Sequence, residues 1–287
     1  MKPSSLQQQV EPLIRRALEE DIGSGDVTTR AILEPDAVYG GQMIAKAPGV
    51  VAGLEVAHWT FQLLDPSVKF QALVPDGHSV KAFEVIARVK GNGRALLTGE
   101  RVALNFVQRM SGIATLTRQF VSAVSGTRAV ILDTRKTAPG LRILDRWAVR
   151  LGGGQNHRFG LFDMVLIKDN HIQAAGSITR AVERVRQQYG QQYPIEVEVK
   201  DLNELDEALA LRVDRILLDN MDIPTLRQAV ERTGGRILLE ASGNISLDNV
   251  AEVARTGVDY ISVGQLTHSV KALDISFRLE PIPDSNT

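Results

Sequence analysis

Residues 195–243 read IEVEVKDLNELDEALALRVDRILLDNMDIPTLRQAVERTGGRILLEASG. Three short apolar runs, Ile195–Val199, Ile216–Asp219 and Ile237–Glu240, alternate here with stretches of helical character, and each ends at a polar or charged residue. With Glu198, Asp219 and Glu240 as strand ends, the interval is 21 residues twice over. One βα unit needs about that length, and repeated βα units make a parallel sheet. The pattern extends in both directions. Ala129–Asp133 and Met164–Lys168 precede at intervals of 35 and 30 residues, and Tyr260–Val263 follows at 22. Six or seven such units closing on themselves form an α/β barrel, whose chemistry sits at the C-terminal strand ends. An open doubly wound sheet is the alternative.

Those ends carry ionisable groups on five of six strands. The first runs into Asp133-Thr134-Arg135-Lys136-Thr137, the second into Lys168-Asp169-Asn170-His171, and the fourth into Asp219-Asn220. The fifth ends in Glu240-Ala241-Ser242-Gly243-Asn244 and the sixth in Ser262-Val263-Gly264-Gln265. On the third, Glu196, Glu198 and Lys200 recur at period 2, so all three are expected inside the barrel while Ile195, Val197 and Val199 face the helices. A lone charge at a strand end is ordinary rim, but this concentration predicts one shared polar pocket.

The charges are sorted by sign. From Asp133 to His171 there are seven Lys/Arg, namely Arg135, Lys136, Arg142, Arg146, Arg150, Arg158 and Lys168, against four acids. From Tyr193 to Asn220 there are eight acids against three bases. One side of the pocket is therefore expected to attract anions. The other could hold Mg²⁺, which prefers one or two carboxylates plus substrate oxygens, here Glu198 and Asp219. Arg158, beside His157 after the Gly152–Gly154 turn, suits a bidentate grip on carboxylate or phosphate. Phosphate needs backbone N–H groups at close approach, hence glycine between strand and helix. Ser242-Gly243-Asn244 and Gly264 sit at such places. His58, His78 and His268 show no partner pattern and read as structural. Nothing suggests a zinc site or an acyl-transfer serine.

The rest of the chain is expected to be a smaller α+β domain. Leu13–Glu20 reads as a short helix, and Gln42–Ala47, Val68–Leu73 and Val85–Val89 as strands. Phe70–Val89 looks like a biotinyl or lipoyl carrier sandwich, but no modifiable lysine sits at a hairpin tip. Leu96–Val124 reads as a long helix with weak points at Gly99 and Gly112. The division is read as 1–111, with the tail 272–287, against a barrel of 112–271. Lys+Arg 33 against Asp+Glu 34 argues against nucleic-acid or membrane surfaces, and the lack of Cys excludes disulfides and thiolate chemistry. Polar Lys2–Gln9 after Met1 offers no secretory h-region. A soluble, cytoplasmic protein is the expectation.

Assembled, these residues make the chain resemble the quinolinate phosphoribosyltransferases, the carboxylating nicotinate-nucleotide pyrophosphorylases. The likeness rests on Glu20–Thr29 (EDIGSGDVTT), Glu100–Phe106 (ERVALNF), Asp133–Gly140 (DTRKTAPG), Gly152–Arg158 (GGGQNHR), Leu166–Ile172 (LIKDNHI), Leu217–Met221 (LLDNM), Glu240–Ile245 (EASGNI) and Gly257–Gly264 (GVDYISVG). It implies an incomplete TIM-like barrel of six to seven parallel strands with an N-terminal α+β sandwich. It also implies a reaction: the pyridine nitrogen of quinolinate displaces pyrophosphate from C1 of phosphoribosyl pyrophosphate, and the C2 carboxylate leaves as CO₂. The product, nicotinate mononucleotide, serves de novo NAD synthesis. On this resemblance Arg135, His157 and Arg158, with Arg101, grip the dianion, Thr134 also binds substrate, and Lys136 and Lys168 neutralise charge at the reacting centre. Glu198 and Asp219 hold Mg²⁺ on the diphosphate, and Ser242, Gly243, Asn244, Val263, Gly264 and Gln265 cradle the 5-phosphate. The working unit is implied to be at least a homodimer, with Arg101 supplied in trans. Catalysis then rests on positioning and electrostatics. Two other classes stay open: a Schiff-base aldolase using Lys168, and a sensor that binds phosphoribosyl pyrophosphate without turnover.

Overall fold

The computed structural model describes residues 5–281, so Met1–Ser4 of the polar N-terminus and the end of the 272–287 tail lie outside the described residues. In chain order the elements are α1 (Ser5–Ile22), α2 (Val27–Ile32), β1 (Val38–Ala45), β2 (Gly49–Val50), α3 (Leu54–Leu64), β3 (Lys69–Ala72), β4 (Ser79–Val80), β5 (Val85–Asn92) and α4 (Gly93–Ala123). Then follow β6 (Val130–Leu132), α5 (Arg142–Leu151), β7 (Val165–Ile167), α6 (Asp169–Ala175), α7 (Ile178–Tyr189), β8 (Ile195–Val199) and α8 (Leu202–Ala210). The chain ends with β9 (Arg215–Asp219), α9 (Ile223–Thr233), β10 (Leu238–Ser242), α10 (Val250–Ala254), β11 (Tyr260–Ser262), α11 (Gln265–His268) and β12 (Ile275–Pro281).

Two compact units result, 1–116 with 138–153 and 270–287, and 117–137 with 154–269. In the first, an antiparallel sheet of order β12-β1-β5-β3 packs on helices over a core that includes Met43, Phe61, Ile86, Leu96 and Leu104. The glycines of α4 have packing reasons: a Cβ on Gly112 would run into the Lys271 carbonyl, and one on Gly99 into Leu64 and Phe61. The stretch 138–153, between two barrel strands in sequence, packs in the first unit. The reason is local. Asp145, fully buried on α5, takes two bonds of 2.8 Å from Arg109, and Trp147 stacks on Trp59 at 6.1 Å.

The second unit holds the expected parallel sheet, six strands in the order β6-β11-β10-β9-β8-β7. The ring is incomplete, since β6 and β7 are not paired; Gln155 alone bridges to Leu132 beside β6. The alternation of Ile-Glu-Val-Glu-Val sets β8: Ile195, Val197 and Val199 are buried in the apolar layer, and the glutamates take the opposite face. The helices start where side chains can accept the first amides. Ser177, Asp201 and Asp222 cap α7, α8 and α9, and Gly234 ends α9 at φ +56°. Parallel pairing throughout the sheet brings all six C-terminal strand ends to one side.

Candidate active site

A cavity of about 940 Å³ opens at those strand ends. Thr134, Arg135 and Lys136 reach it after β6, Lys168 after β7, Glu198 from β8, Asp219 and Asn220 from the end of β9, Ser242–Ser246 after β10, and Gly264, Gln265 and His268 after β11. His157 and Arg158 enter from the loop before β7. Thus Thr134, Arg135, Lys136, His157, Arg158, Lys168, Glu198, Asp219, Ser242, Gly243, Asn244, Gly264 and Gln265 come together as the sequence suggested. Four of the seven cations counted there line the cavity; Arg142, Arg146 and Arg150 ride on α5 in the other unit. Arg101, exposed on α4, also belongs to that unit and is not among the lining residues.

Val263 is a correction. Its side chain is buried, and its amide donates to Leu132 O at 3.0 Å, so the N–H is committed to the sheet and is not a phosphate donor. His268, read as structural, lines the cavity, with Nδ1 2.6 Å from Ser269 Oγ. Lys200 leaves the barrel interior: it is exposed and pairs with Glu204 at 3.1 Å. Asp133 is an anchor. Fully buried, it accepts from His157 N–H at 2.8 Å and Asn156 Nδ2 at 2.6 Å, which fixes the loop carrying His157 and Arg158. Asn220, Glu240, Ser246, Ser262 and His268 were missed as lining residues. A strand-end signal was present for Asn220, Glu240 and Ser262, but nothing local marked Ser246 or His268.

The cationic wall is built tightly. Lys136 O accepts from Thr267 Oγ1 at 2.8 Å, and the Lys136 stem passes so close to Gly264 that a Cβ there would be 3.3 Å from its Cδ. Burial and the nearby Arg135 guanidinium lower the Arg158 pKa, partly offset by Glu196 and Asp163. Lys168 Nζ pairs with Glu198 Oε2 across neighbouring strands. His171 Nδ1 accepts from Lys168 N–H at 3.0 Å, so this histidine caps α6 and steadies the lysine backbone.

At the floor of the cavity His157 and Glu240 join a buried polar layer with Glu196 and Arg215. His157 Nε2 is 3.0 Å from Glu196 Oε2 and 3.4 Å from Glu240 Oε2; Arg215 Nη1 is 3.0 Å from Glu240 Oε2, with its guanidinium 4.2 Å over the Tyr260 ring. Burial alone would lower the His157 pKa, but hydrogen bonds and charge from Glu196 and Glu240 outweigh it and raise it to about 9. Against them, Arg158 N–H points at His157 Nδ1 across 2.7 Å, a contact that favours a bare nitrogen there. In either charge state Nε2 carries a proton toward the two carboxylates. Burial and the Glu240 charge raise the Glu196 pKa; for Glu240, burial is overcome by His157, Ser262 and Arg215, and its pKa is lowered.

Two sets of residues could hold a cation. Among the described residues, His157, Glu196 and Glu240 form one cluster with ligand atoms within 4.8 Å of one another. Two carboxylates there already face Arg215 and His157, so a metal would add a third positive charge to a balanced set. Glu198 and Asp219 fit better. Glu198 pairs in register with Leu217, two residues before Asp219, so the two carboxylates share one face of adjacent strands. Both line the cavity and offer only hard oxygens, which suits Mg²⁺.

Comparison with known proteins covers nearly the whole chain. The family profiles for the quinolinate phosphoribosyl transferase N-terminal and C-terminal domains match residues 26–111 and 113–278. The probable nicotinate-nucleotide pyrophosphorylase (carboxylating) of Synechocystis sp. is 48% identical over 275 residues, 94% of this chain and 92% of that protein. The chloroplastic nicotinate-nucleotide pyrophosphorylase (carboxylating) of Arabidopsis thaliana is 46% identical over 297 residues, covering 97% and 85%. Among solved structures, NadC from Streptococcus pyogenes superposes with a TM-score of 0.94 at 40% identity, over 98% of this chain and all of that one. The nicotinate-nucleotide pyrophosphorylase of Francisella tularensis gives 0.90 at 39%, over 96% and 97%.

Proposed function

The chain belongs to the quinolinate phosphoribosyltransferase family, and from that premise we propose how its residues divide the work. The enzyme transfers the phosphoribosyl group of phosphoribosyl pyrophosphate to quinolinate with decarboxylation, yielding nicotinate mononucleotide for NAD synthesis. In bond terms, the pyridine nitrogen forms a bond to C1 as the C1–oxygen bond breaks, and that electron pair leaves with pyrophosphate. The C2–carboxylate bond then breaks, CO₂ departs, and the pair left on C2 beside the cationic nitrogen takes up a proton.

The observation that carries the assignment of roles is the sorting of charge around one cavity. Arg135, Arg158, Lys136 and Lys168 line one part of it. A substrate with two carboxylates is held there by forked guanidinium bonds and by ammonium charge, at fixed distance from the donor's C1. Ser242, Gly243, Asn244, Gly264 and Gln265, on the turns that follow β10 and β11, line the same cavity and would receive the 5-phosphate. Glu198 and Asp219 would hold Mg²⁺, which when bound neutralises diphosphate charge in the leaving group. Lys168 supports the charge that develops on the departing groups once its pair with Glu198 opens. Its ion pair is unlike the desolvated apolar setting a Schiff-base lysine needs, which weighs against the aldolase reading. No helix of the described residues is long and apolar enough to cross a membrane, and a cytoplasmic site of action is part of this reading.

The test is product stoichiometry: quinolinate, phosphoribosyl pyrophosphate and Mg²⁺ should give equal amounts of CO₂, pyrophosphate and nicotinate mononucleotide. Binding without release would restore the sensor reading. Nicotinate leaves one cationic subsite unpaired and should be disfavoured by about 10²-fold or more in kcat/KM. We also propose a working homodimer in which Arg101 serves the partner's cavity, as the resemblance implies. Mixing inactive Arg101→Ala and Lys168→Ala proteins with subunit exchange should then restore activity, because one cavity of each mixed dimer carries neither lesion. Verified but inactive heterodimers would return Arg101 to its own subunit.

A further inference from the structure

Two neighbouring strands of the barrel end in the same unusual way. Asn220, immediately after β9, has φ +52°, and Asn244, two residues after β10, has φ +51°, with Gly243 between strand and asparagine at φ +100°. L residues avoid this region, and asparagine is the side chain that tolerates it best outside glycine. Two such turns side by side need a tertiary reason, and the Asn220 carboxamide supplies one. Its Nδ2 donates to Asp219 Oδ2 at 2.9 Å, and its Oδ1 accepts from Asn244 Nδ2 at 3.1 Å. The orientation is dictated by chemistry, because the amide nitrogen donates and a carboxylate oxygen accepts. The backbone joins in: Asn220 N–H donates to Ser242 O at 2.9 Å, carrying the ladder one residue beyond the strand.

The carboxamide occupies the space above Gly243 Cα, where any Cβ would collide with it. The chain of amides continues. Asn249 Nδ2 donates to Asn244 O at 2.9 Å, and Asn249 Oδ1 accepts from Ser246 N–H at 2.9 Å. A single side chain thus ties the Asp219 carboxylate to the Gly243–Asn244 turn, and these sit on different strands. Asn249 holds the far side of the turn through Asn244 O and Ser246 N–H, and neither bond reaches Asp219.

We propose that Asn220 is a positioning residue for the phosphoribosyl donor: its carboxamide fixes Asp219 and the Gly243–Asn244 turn at a constant separation, so that the diphosphate end and the 5-phosphate end of one substrate meet partners already spaced for it. The inference rests on the donor placement given above. Three residue types can be compared at this position. Glycine keeps the φ but cannot bridge. Aspartate tolerates the φ but cannot donate to Asp219, and it sets a second negative charge beside the first. Asparagine alone does both.

The experiment compares wild type, Asn220→Gly and Asn220→Asp by steady-state kinetics, direct quinolinate binding and thermal melting. Asn220→Gly is expected to melt with wild type, to bind quinolinate within twofold of wild type, and to raise the KM for phosphoribosyl pyrophosphate by about tenfold or more, the scale of a lost hydrogen bond to a charged group. Asn220→Asp is expected to fail to rescue it. A wild-type KM in Asn220→Gly, recovery in Asn220→Asp, or an equal loss of quinolinate affinity would each overturn the role given to Asn220. A wild type that releases no pyrophosphate would overturn the donor placement as well, so the two failures are told apart.

Discussion

Two ion pairs join neighbouring strands of this barrel, and they do opposite things. Arg215, first residue of β9, meets Glu240 of β10 at 3.0 Å; the arginine side chain is 19% exposed and the glutamate 0%. Lys168, one residue past β7, meets Glu198 of β8, with side chains 44% and 15% exposed. The first pair is enclosed by Tyr260, His157 and Glu196, and each charge has an opposite within reach. Of the first pair only the fully buried Glu240 touches the cavity, whereas both members of the second line it. Depth along the strand makes the difference. Charge at the start of a strand is sealed into the framework, and charge at its C-terminal end is left open to a ligand.

The contrast can be pressed from the cavity side first. Arg158→Ala removes a forked donor from the cationic wall and is expected to cost roughly 10²- to 10³-fold in quinolinate affinity, with the melting temperature nearly unchanged. Arg158→Lys should recover only part of it, because an ammonium lacks the fork. Equal losses in affinity and stability would mean that the wall is framework too. Glu198→Gln is expected to cost about tenfold to a hundredfold in kcat/KM, most at limiting Mg²⁺ or phosphoribosyl pyrophosphate, while quinolinate binding holds. A loss confined to quinolinate would remove the metal role.

The smallest effect belongs to the buried layer. His157 has a pKa raised from 6.5 to about 9 when folded, so its contribution to stability is whole below pH 6.5 and lost as pH rises through 9. The expected loss, at most about 3 kcal/mol, is read by denaturant unfolding across that window. His157→Gln should remove the dependence. A flat wild-type profile would mean that the Arg158 amide keeps Nδ1 bare and the ring neutral throughout.

Periodicity carried the fold. All six barrel strands lie within a residue or two of the apolar runs that marked them, because alternation and helix caps are local properties. Depth is not local. Glu196 and Glu198 stand at equivalent places in Ile-Glu-Val-Glu-Val, yet Glu196 pairs in register with Arg215 and disappears beneath the cavity, while Glu198 opens into it. Lys200 fits the same period and still leaves the interior, since the chain is by then turning into the Asp201 cap. Nor could spacing show that Val263 spends its amide on β6, or that α5, between two barrel strands in sequence, joins Arg109 and Trp59 in the first unit. Each miss turns on a tertiary partner.

One paired measurement bears most directly on the division between framework and chemistry: Arg215→Met and Lys168→Met, each examined by denaturant unfolding and by kcat/KM for quinolinate. Arg215→Met leaves Glu240 buried without its guanidinium and is expected to lose about 3–5 kcal/mol of stability. Its remaining folded protein should stay within a few-fold of wild-type turnover. Lys168→Met is expected to keep its stability within about 1 kcal/mol, as for other solvent-exposed pairs, and to lose about 10³-fold or more in kcat/KM. An Arg215→Met protein that is stable but inactive, or a Lys168→Met protein that is unfolded or fully active, would contradict the account.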